Sequence, residues 1–423
     1  MLSSDGVVGT VLAVAVLALV VVTTVTVRRG VATVIAVASA VAVVALGLTD
    51  VPVAADEIRF IAPTIAFLAA MLVVADVCAR TGVFTWVGWV VEGWSHGSPN
   101  RLLRIVFVVA AVTTAVLSID TTIVLLTPVA VITARRLGAR ITPVSYAGNH
   151  LANTASTLFP VSNLTNLLAF SATGLSFLGF AGVMAAPWIA AIVVEYLIFR
   201  WFFADDLTVR SPRRNRDPAT PPHTPRWVLT CLALLFVAFV VSEPLGVPLA
   251  ATAAVGAAVM LAPMAFRDPT VTARHTARAL NVGFLAFVAA LGVIILPVRE
   301  GAIGDAVSHL IPTGSGFLAM VAVAVLAAIS ANVVNNLPAT LLLVPLTAHQ
   351  PALVLAVVLG VNIGPNLAYF GSLANLLWRD IMRRDSTAAP RSRDYLRLGA
   401  LTVPPTLLVA VVALWISVRL GGL

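Results

Sequence analysis

The chain is 423 residues long, 60% hydrophobic and only 10% charged, with a mean hydropathy of +1.02. An ordinary soluble domain carries about 25% charged residues, and this composition lacks the polar surface to cover a water-soluble fold. It excludes a soluble enzyme, a nucleic-acid-binding domain and a disordered chain. What remains is an all-α polytopic membrane protein, since near-continuous apolar runs argue against the alternation of a β-barrel. The formal net charge of +8 rests on 26 basic residues, all arginine. They cluster between apolar runs, the pattern of cytoplasmic loops, and call for no nucleic acid.

A membrane span needs about 20 apolar residues. Gly6 to Val27 lacks the basic start of a cleaved signal peptide and reads as a first span, followed by spans over 31–49 and 57–79. Trp86, Trp89 and Trp94 read as interfacial anchors. The runs 101–136 and 142–172 carry Ser, Thr, Asp, Asn or Pro in mid-run, and 177–199 is again a plain span. Residues 201–226 are Arg- and Pro-rich and read as a cytoplasmic linker. Spans follow at 227–242, 248–266 and 280–297, then the polar-interrupted runs 314–347 and 352–378, then a last span at 398–418.

Reading 101–136 and 314–347 as hairpins that enter and leave on one side puts 23 of the 26 arginines in the cytoplasm, leaving Arg59, Arg299 and Arg419 outside. The expectation is ten full spans and two re-entrant hairpins entering from opposite faces, with both termini outside. Each half, 1–200 and 227–423, then reads as three spans, an amphipathic stretch, a hairpin, a broken helix and a last span, in opposite orientations. That is an inverted repeat. Sequence identity supports it: Ala152 to Leu168 laid over Val361 to Leu377 matches Asn153 with Asn362 and Asn166 with Asn375, and Thr122 to Pro128 loosely matches Ala339 to Pro345.

Polar residues in mid-membrane cost free energy and mark substrate or ion paths. Inverted-repeat transporters put broken helices at the midplane around the substrate. Four such breaks are present here: Ser118-Ile-Asp120-Thr121-Thr122, Pro160-Val-Ser162-Asn163-Leu-Thr165-Asn166, Asn335-Asn336-Leu-Pro338-Ala-Thr340, and Gly364-Pro365-Asn366 through Gly371-Ser372-Leu-Ala-Asn375. Ser118, Thr121, Asn163, Asn166, Asn335, Asn336, Ser372 and Asn375 are the candidate substrate ligands. Asp120 is the only carboxylate in any break and the candidate carrier of a coupling proton. His150 reads as a helix-packing or interfacial residue, Glu195 as a side chain that snorkels or pairs with Arg200, and Asp76 as an i,i+4 partner of Arg80.

These breaks resemble those of the arsenite efflux permeases (arsenical pump membrane proteins) of the ion transporter superfamily. The stretches that carry the resemblance are Ser118 to Pro128, Ala152 to Ser156, Val161 to Asn166, Val334 to Pro338, and Asn362 to Pro365 with Gly371 to Trp378. The resemblance runs the length of the chain. It implies an elevator in the cell membrane, usually dimeric: a scaffold of spans 1–3 and 7–9, and a moving domain of hairpins and broken helices. It also implies export of arsenite or antimonite from the cytoplasm, with protons as the exchanged ion. Carriers of small anions (dicarboxylate, sulfate) coupled to sodium or protons, and sodium/proton antiporters, belong to the same superfamily and are the alternative.

Arsenite and antimonite at neutral pH are neutral trihydroxides, which hydroxyl, amide and backbone groups suit. Cys78 and Cys231 lie apart in apolar runs and read as packing residues. No cofactor is expected. There is no P-loop, so any ATP drive would need a separate ATPase subunit, and the His-Glu-x-x-His pattern of a zinc protease is absent. Asp205-Asp206 is a lone acidic pair, so an enzyme is not the reading.

Overall fold

The computed structural model describes residues 4–208, 222–384 and 389–421, so half of the expected linker 201–226, residues 209–221, lies outside the described residues. Among the described residues, regular structure is helical throughout. The first half comprises α1 (Ser4–Thr26), α2 (Arg29–Ala45), α3 (Val51–Arg80), α4 (Val83–Ser95), α5 (Pro99–Leu117), α6 (Ile119–Thr121), α7 (Thr127–Arg136), α8 (Ile141–Thr154), α9 (Leu164–Thr173), α10 (Phe177–Phe202) and α11 (Ala204–Thr208). The second comprises α12 (Arg226–Ser242), α13 (Leu249–Arg267), α14 (Pro269–Ala279), α15 (Val282–Arg299), α16 (Ala302–Leu310), α17 (Phe317–Val334), α18 (Asn336–Thr347), α19 (Pro351–Ile363), α20 (Leu373–Arg383) and α21 (Ser392–Gly421).

Eight helical stretches among the described residues are long and apolar enough to cross a membrane, by length and composition. Large apolar side chains such as Val8, Leu178, Leu318 and Phe266 face outward, the reverse of a soluble protein's surface. The chain is a polytopic helical membrane protein.

Helix ends follow local chemistry. The expected span 31–49 stops at Ala45, because Gly47 takes φ +69° and the Leu48 N–H returns to the Val43 carbonyl at 3.0 Å. The run 227–242 stops before Pro244, with Gly246 at φ +66° closing the turn. Both α2 and α12 therefore have 17 residues. In contrast, α3 starts earlier than expected, at Val51, because its charges find partners: Arg59 bonds Asp56 at 2.8 Å and Glu57 meets Arg299 of α15 at 3.0 Å. Asp76 and Arg80 form the expected i,i+4 pair at 3.5 Å. The hydroxyls of Ser98 and Ser176 cap α5 and α10.

Two groups of helices result. In the first, α1, α2 and α3 pack on α13 and α15, with α12 against α13. Its interior holds Ile61, Phe287 and Ile294 on one side, and Val74, Cys78, Cys231 and Met260 on the other. The second group contains α5, α8, α10, α17, α19 and α21 with the interrupted segments among them. There α17 and α19 approach closely: a Cβ on Gly364, just past α19, would sit 2.6 Å from Ala328. Small residues are what allow such backbone contact between membrane helices.

Candidate functional site

The two expected hairpin tips have one backbone solution. Ser118, between α5 and α6, has φ 130° and ψ 168°; Asn335, between α17 and α18, has φ 76° and ψ 157°. This region is essentially glycine territory and costs about 1–3 kcal/mol for other residues. Each tip's polar side chain finds a partner: the Ser118 hydroxyl lies 3.1 Å from that of Thr121, and the Asn335 amide donates across to the Phe370 carbonyl in the second break at 2.9 Å. After the first tip the helix passes through a π turn, Thr122–Leu126, before α7. Pro128 opens α7 where no N–H is available.

The two broken helices also share a geometry. α8 gives way to 3₁₀ turns at Ala155–Thr157 and Pro160–Ser162, then restarts as α9 after Asn163; α19 gives way at Gly364–Leu367 and Tyr369–Gly371, then restarts as α20 after Ser372. Asn163 and Ser372 have φ/ψ of −152/150° and −145/153°. Broken backbone inside a membrane must find partners within the protein, and one asparagine does this in each break. The Asn166 amide donates to the carbonyls of Ser156 (2.6 Å) and Phe159 (2.9 Å). The Asn375 amide donates to those of Pro365 (2.7 Å) and Ala368 (3.1 Å), at the same sequence spacings.

The breaks are then tied to each other. The Asn153 amide donates to Asn375 Oδ1 at 2.8 Å, and the Asn362 amide donates to Asn166 Oδ1 at 2.8 Å. Asn362 Oδ1 in turn accepts from the Asn163 amide (2.6 Å) and the Thr165 hydroxyl (3.0 Å). Asn153, Asn166, Asn362 and Asn375 are fully buried.

A cavity of about 70 Å³ lies where both tips and both breaks meet. Of the residues expected at the site, Ser118, Asp120, Asn163, Asn336 and Ser372 line it. Thr121, Asn166, Asn335 and Asn375 stand behind its wall, bonded to the backbone or to neighbouring side chains. The first helix group contributes only apolar side chains to the lining: Phe67, Leu68, Met71 and Leu72 of α3 and Phe284 of α15. These wall residues carry no sequence signal, since they read as ordinary span residues. Cys78 and Cys231 are buried in the first group and do not line the cavity.

One pair went unread in the sequence. His150 of α8 and Glu195 of α10 are both buried, with His150 Nδ1 2.8 Å from Glu195 Oε1. Glu195 thus turns inward to the imidazole and does not snorkel. The usable signal was a carboxylate in an apolar span, which requires a partner.

Helices that break at one central cavity inside a polytopic membrane protein define a transporter. The chain belongs to the citrate transporter family, which it matches over residues 10–353. It is 28% identical to the arsenical pump membrane protein of Escherichia coli over 373 residues, 83% of this chain and 85% of that one. It is also 28% identical to the arsenical pump membrane protein of Yersinia enterocolitica over 367 residues, 82% and 84% of the two chains. An uncharacterized transporter of Mycobacterium tuberculosis is 23% identical over 377 residues, 84% and 86% of the two chains. The protein is a multi-pass protein of the cell membrane.

Proposed function

We propose that this transporter exports arsenite or antimonite from the cytoplasm in exchange for protons. The observation that carries the reading is the cavity wall. It offers hydroxyls, amides and the single carboxylate of Asp120, and no arginine is among its lining residues. Its volume of about 70 Å³ is room for roughly five to seven waters, at about 10–15 Å³ each. A neutral metalloid trihydroxide is small enough for this space and suits a wall that sets a few hydroxyls, amides and one carboxylate among apolar side chains. A citrate trianion is far larger and would meet a carboxylate with no cation on the wall to balance it. The names of the arsenical pump relatives point the same way, and the family's description is what favours the second reading, a small-anion carrier.

On this reading Asp120 carries the coupling proton. A proton entering the cell gains about 2.3 kcal/mol per 100 mV of membrane potential, the drive needed to expel a neutral solute against its gradient. Ser118, Asn163, Asn336 and Ser372 offer the metalloid its hydrogen bonds, with Thr121, Asn166, Asn335 and Asn375 holding the loops that present them. The shared geometry of the two tips and of the two breaks supports an inverted repeat with halves 1–200 and 227–423 and two re-entrant hairpins. The cavity supports an elevator. Its polar residues belong to a body cross-tied by Asn153–Asn375 and Asn362–Asn166, whereas the residues it draws from the first helix group are apolar, a surface suited to sliding between the two. The scaffold of α1–α3 and α12–α15 would then hold the fixed dimer contacts.

Everted vesicles test the reading, with pH and sodium gradients imposed separately. Arsenite should accumulate under a pH gradient alone, and excess citrate or sulfate should not compete. Accumulation of labelled citrate or sulfate, with none of arsenite, would overturn it.

A further inference from the structure

The cavity carboxylate is not the only titratable group inside the second helix body. His150 and Glu195 are 0% and 1% exposed. Their outer atoms, His150 Nε2 and Glu195 Oε2, are buried without a hydrogen-bond partner. A structural ion pair normally has its remaining donors and acceptors satisfied, since desolvating them otherwise costs more than the pair returns. This pair stays half-satisfied, at the centre of a packed helix body.

Nor does the frame of the fold require it. The position matching His150 in the second half, 209 residues on, is Leu359, a buried apolar residue. The same comparison sets Thr157 against Asn366. The Thr157 hydroxyl donates only locally, to the Thr154 carbonyl at 3.1 Å, whereas the Asn366 amide crosses to the other half. It donates to the His150 carbonyl (3.1 Å) and the Thr154 hydroxyl (2.9 Å), and stands 3.5 Å from Glu195 Oε1. From Asn366 the bonds continue to the cavity. Asn366 Oδ1 accepts from the Asn153 amide at 2.9 Å, that amide also donates to Asn375 Oδ1 at 2.8 Å, and the Asn375 backbone N–H donates to the Ser372 hydroxyl on the cavity wall at 3.2 Å.

We propose that His150 and Glu195 form a second, membrane-embedded proton-binding site, coupled to the substrate cavity through Asn366, Asn153, Asn375 and Ser372. It rests on the transport reading above and adds a second proton to it. The pair sharing one proton is neutral overall, whether written as imidazole with carboxylic acid or imidazolium with carboxylate. Releasing that proton to water leaves a neutral imidazole and a Glu195 carboxylate, hence one uncompensated buried charge. The nearest amide able to tighten onto that carboxylate is Asn366, at the start of the second break. Proton loss therefore pulls on Asn366, and a shift of Asn366 moves the acceptor of Asn153. Other titratable groups around the pair are few. The Tyr395 ring of α21 faces the imidazole at 5.8 Å, and its hydroxyl accepts from the Asn149 amide. Tyr146, a turn earlier on α8, packs on Tyr395 and Trp378. Tyr196, next to Glu195, points to Phe107 and to the exposed Arg104 of α5. Asp120 sits on α6, which packs against α8.

The full-length protein in proteoliposomes tests this with two readouts: arsenite counterflow at equal concentrations across a range of pH, and infrared difference spectra of a pH titration, which report carboxyl protonation. Wild-type protein should show pH-dependent counterflow and a buried-carboxyl band. Glu195→Gln should lose the Glu195 share of that band and flatten the pH profile, while accumulation under a pH gradient falls about tenfold or more, the scale of coupling between linked sites. Glu195→Asp should restore part of both. Asn366→Thr, which installs the residue of the matching position, should keep the band but lose the pH dependence of counterflow, and it stands in if Glu195→Gln does not fold. Unchanged pH profiles and gradient-driven accumulation in Glu195→Gln, or unchanged profiles in Asn366→Thr, would overturn the proposal. Absence of arsenite counterflow in the wild type would instead overturn the transport reading itself; the infrared band still reports on the pair in that case, and a band undiminished in Glu195→Gln would overturn the second site.

Discussion

Replacing Asn375 by leucine keeps the side chain's shape and removes its hydrogen bonds, so it asks whether this asparagine serves the backbone or the ligand. The Pro365 carbonyl loses a donor at 2.7 Å in a fully buried site. Orphaning such a group costs about 1–3 kcal/mol. The Ala368 carbonyl also loses its side-chain donor, but it keeps the Gly371 N–H at 3.1 Å, so its share is nearer 1 kcal/mol. The Asn153 amide keeps Asn366 Oδ1 at 2.9 Å and adds little. The sum is about 2–4 kcal/mol, a large part of the 5–15 kcal/mol that holds a typical fold. Thermal melting in detergent, followed by size-exclusion fluorescence, should therefore fall by several degrees in Asn375→Leu, and likewise in Asn166→Leu. Asn336→Ala, on the cavity wall, should melt close to wild type and raise the arsenite KM. Asn375→Leu protein that melts like wild type yet fails to transport would refute the reasoning and move Asn375 to the ligand.

Asp120→Asn should reach the membrane and retain measurable arsenite counterflow while losing accumulation under a pH gradient; concentrating arsenite at the wild-type rate would make Asp120 a helix cap only. The double variant Cys78→Ala, Cys231→Ala should keep arsenite resistance at normal abundance, because both thiols pack in the first helix group, away from the cavity; lost resistance at normal abundance would put a thiol on the metalloid. Glu57→Gln should lower stability by roughly 1.5–3 kcal/mol, the scale of a hydrogen bond to a charged group, and with it the melting point, through its 3.0 Å contact with Arg299; an unchanged melt would make the pair decorative.

Much of this was legible because membrane chemistry leaves few alternatives. A Ser, Asn or Pro in mid-run is costly unless the backbone there is broken, so the four interruptions could be found without a structure, and their meeting at one cavity follows from their being the polar parts of an apolar body. Which of their residues face the cavity was not legible. Asn163 and Asn166 are three residues apart on one segment, yet one lines the cavity and the other turns back to carbonyls seven and ten residues earlier. Both are amides, and only the path of the 3₁₀ turns tells them apart. The apolar wall was hidden for the opposite reason: Phe67 and Met71 look like any other span residues. His150 and Glu195 were read separately because they lie 45 residues apart and meet only through the packing of α8 on α10.

The likeness of the two halves makes their differences informative. What repeats is frame: the left-handed tips at Ser118 and Asn335, the restarts at Asn163 and Ser372, and the clamps Asn166 and Asn375. Among what does not repeat are titratable groups. Aligning the tips puts Asp120 against Leu337, and aligning the breaks puts His150 against Leu359. On the inverted-repeat reading the two halves supply matching frames, and the frame alone does not couple the transporter to a proton gradient. On the proposed reading, groups that change charge on one half supply that coupling, because their neutral forms cross a low-dielectric region more cheaply than their charged forms, and the imposed gradient sets the direction. Proton coupling in this transporter is thus expected to reside in Asp120 and in the His150–Glu195 pair. Transplanting a carboxylate to the mate position, Leu337→Asp in an Asp120→Leu background, should change the response to an imposed pH gradient while leaving the asparagine frame in place.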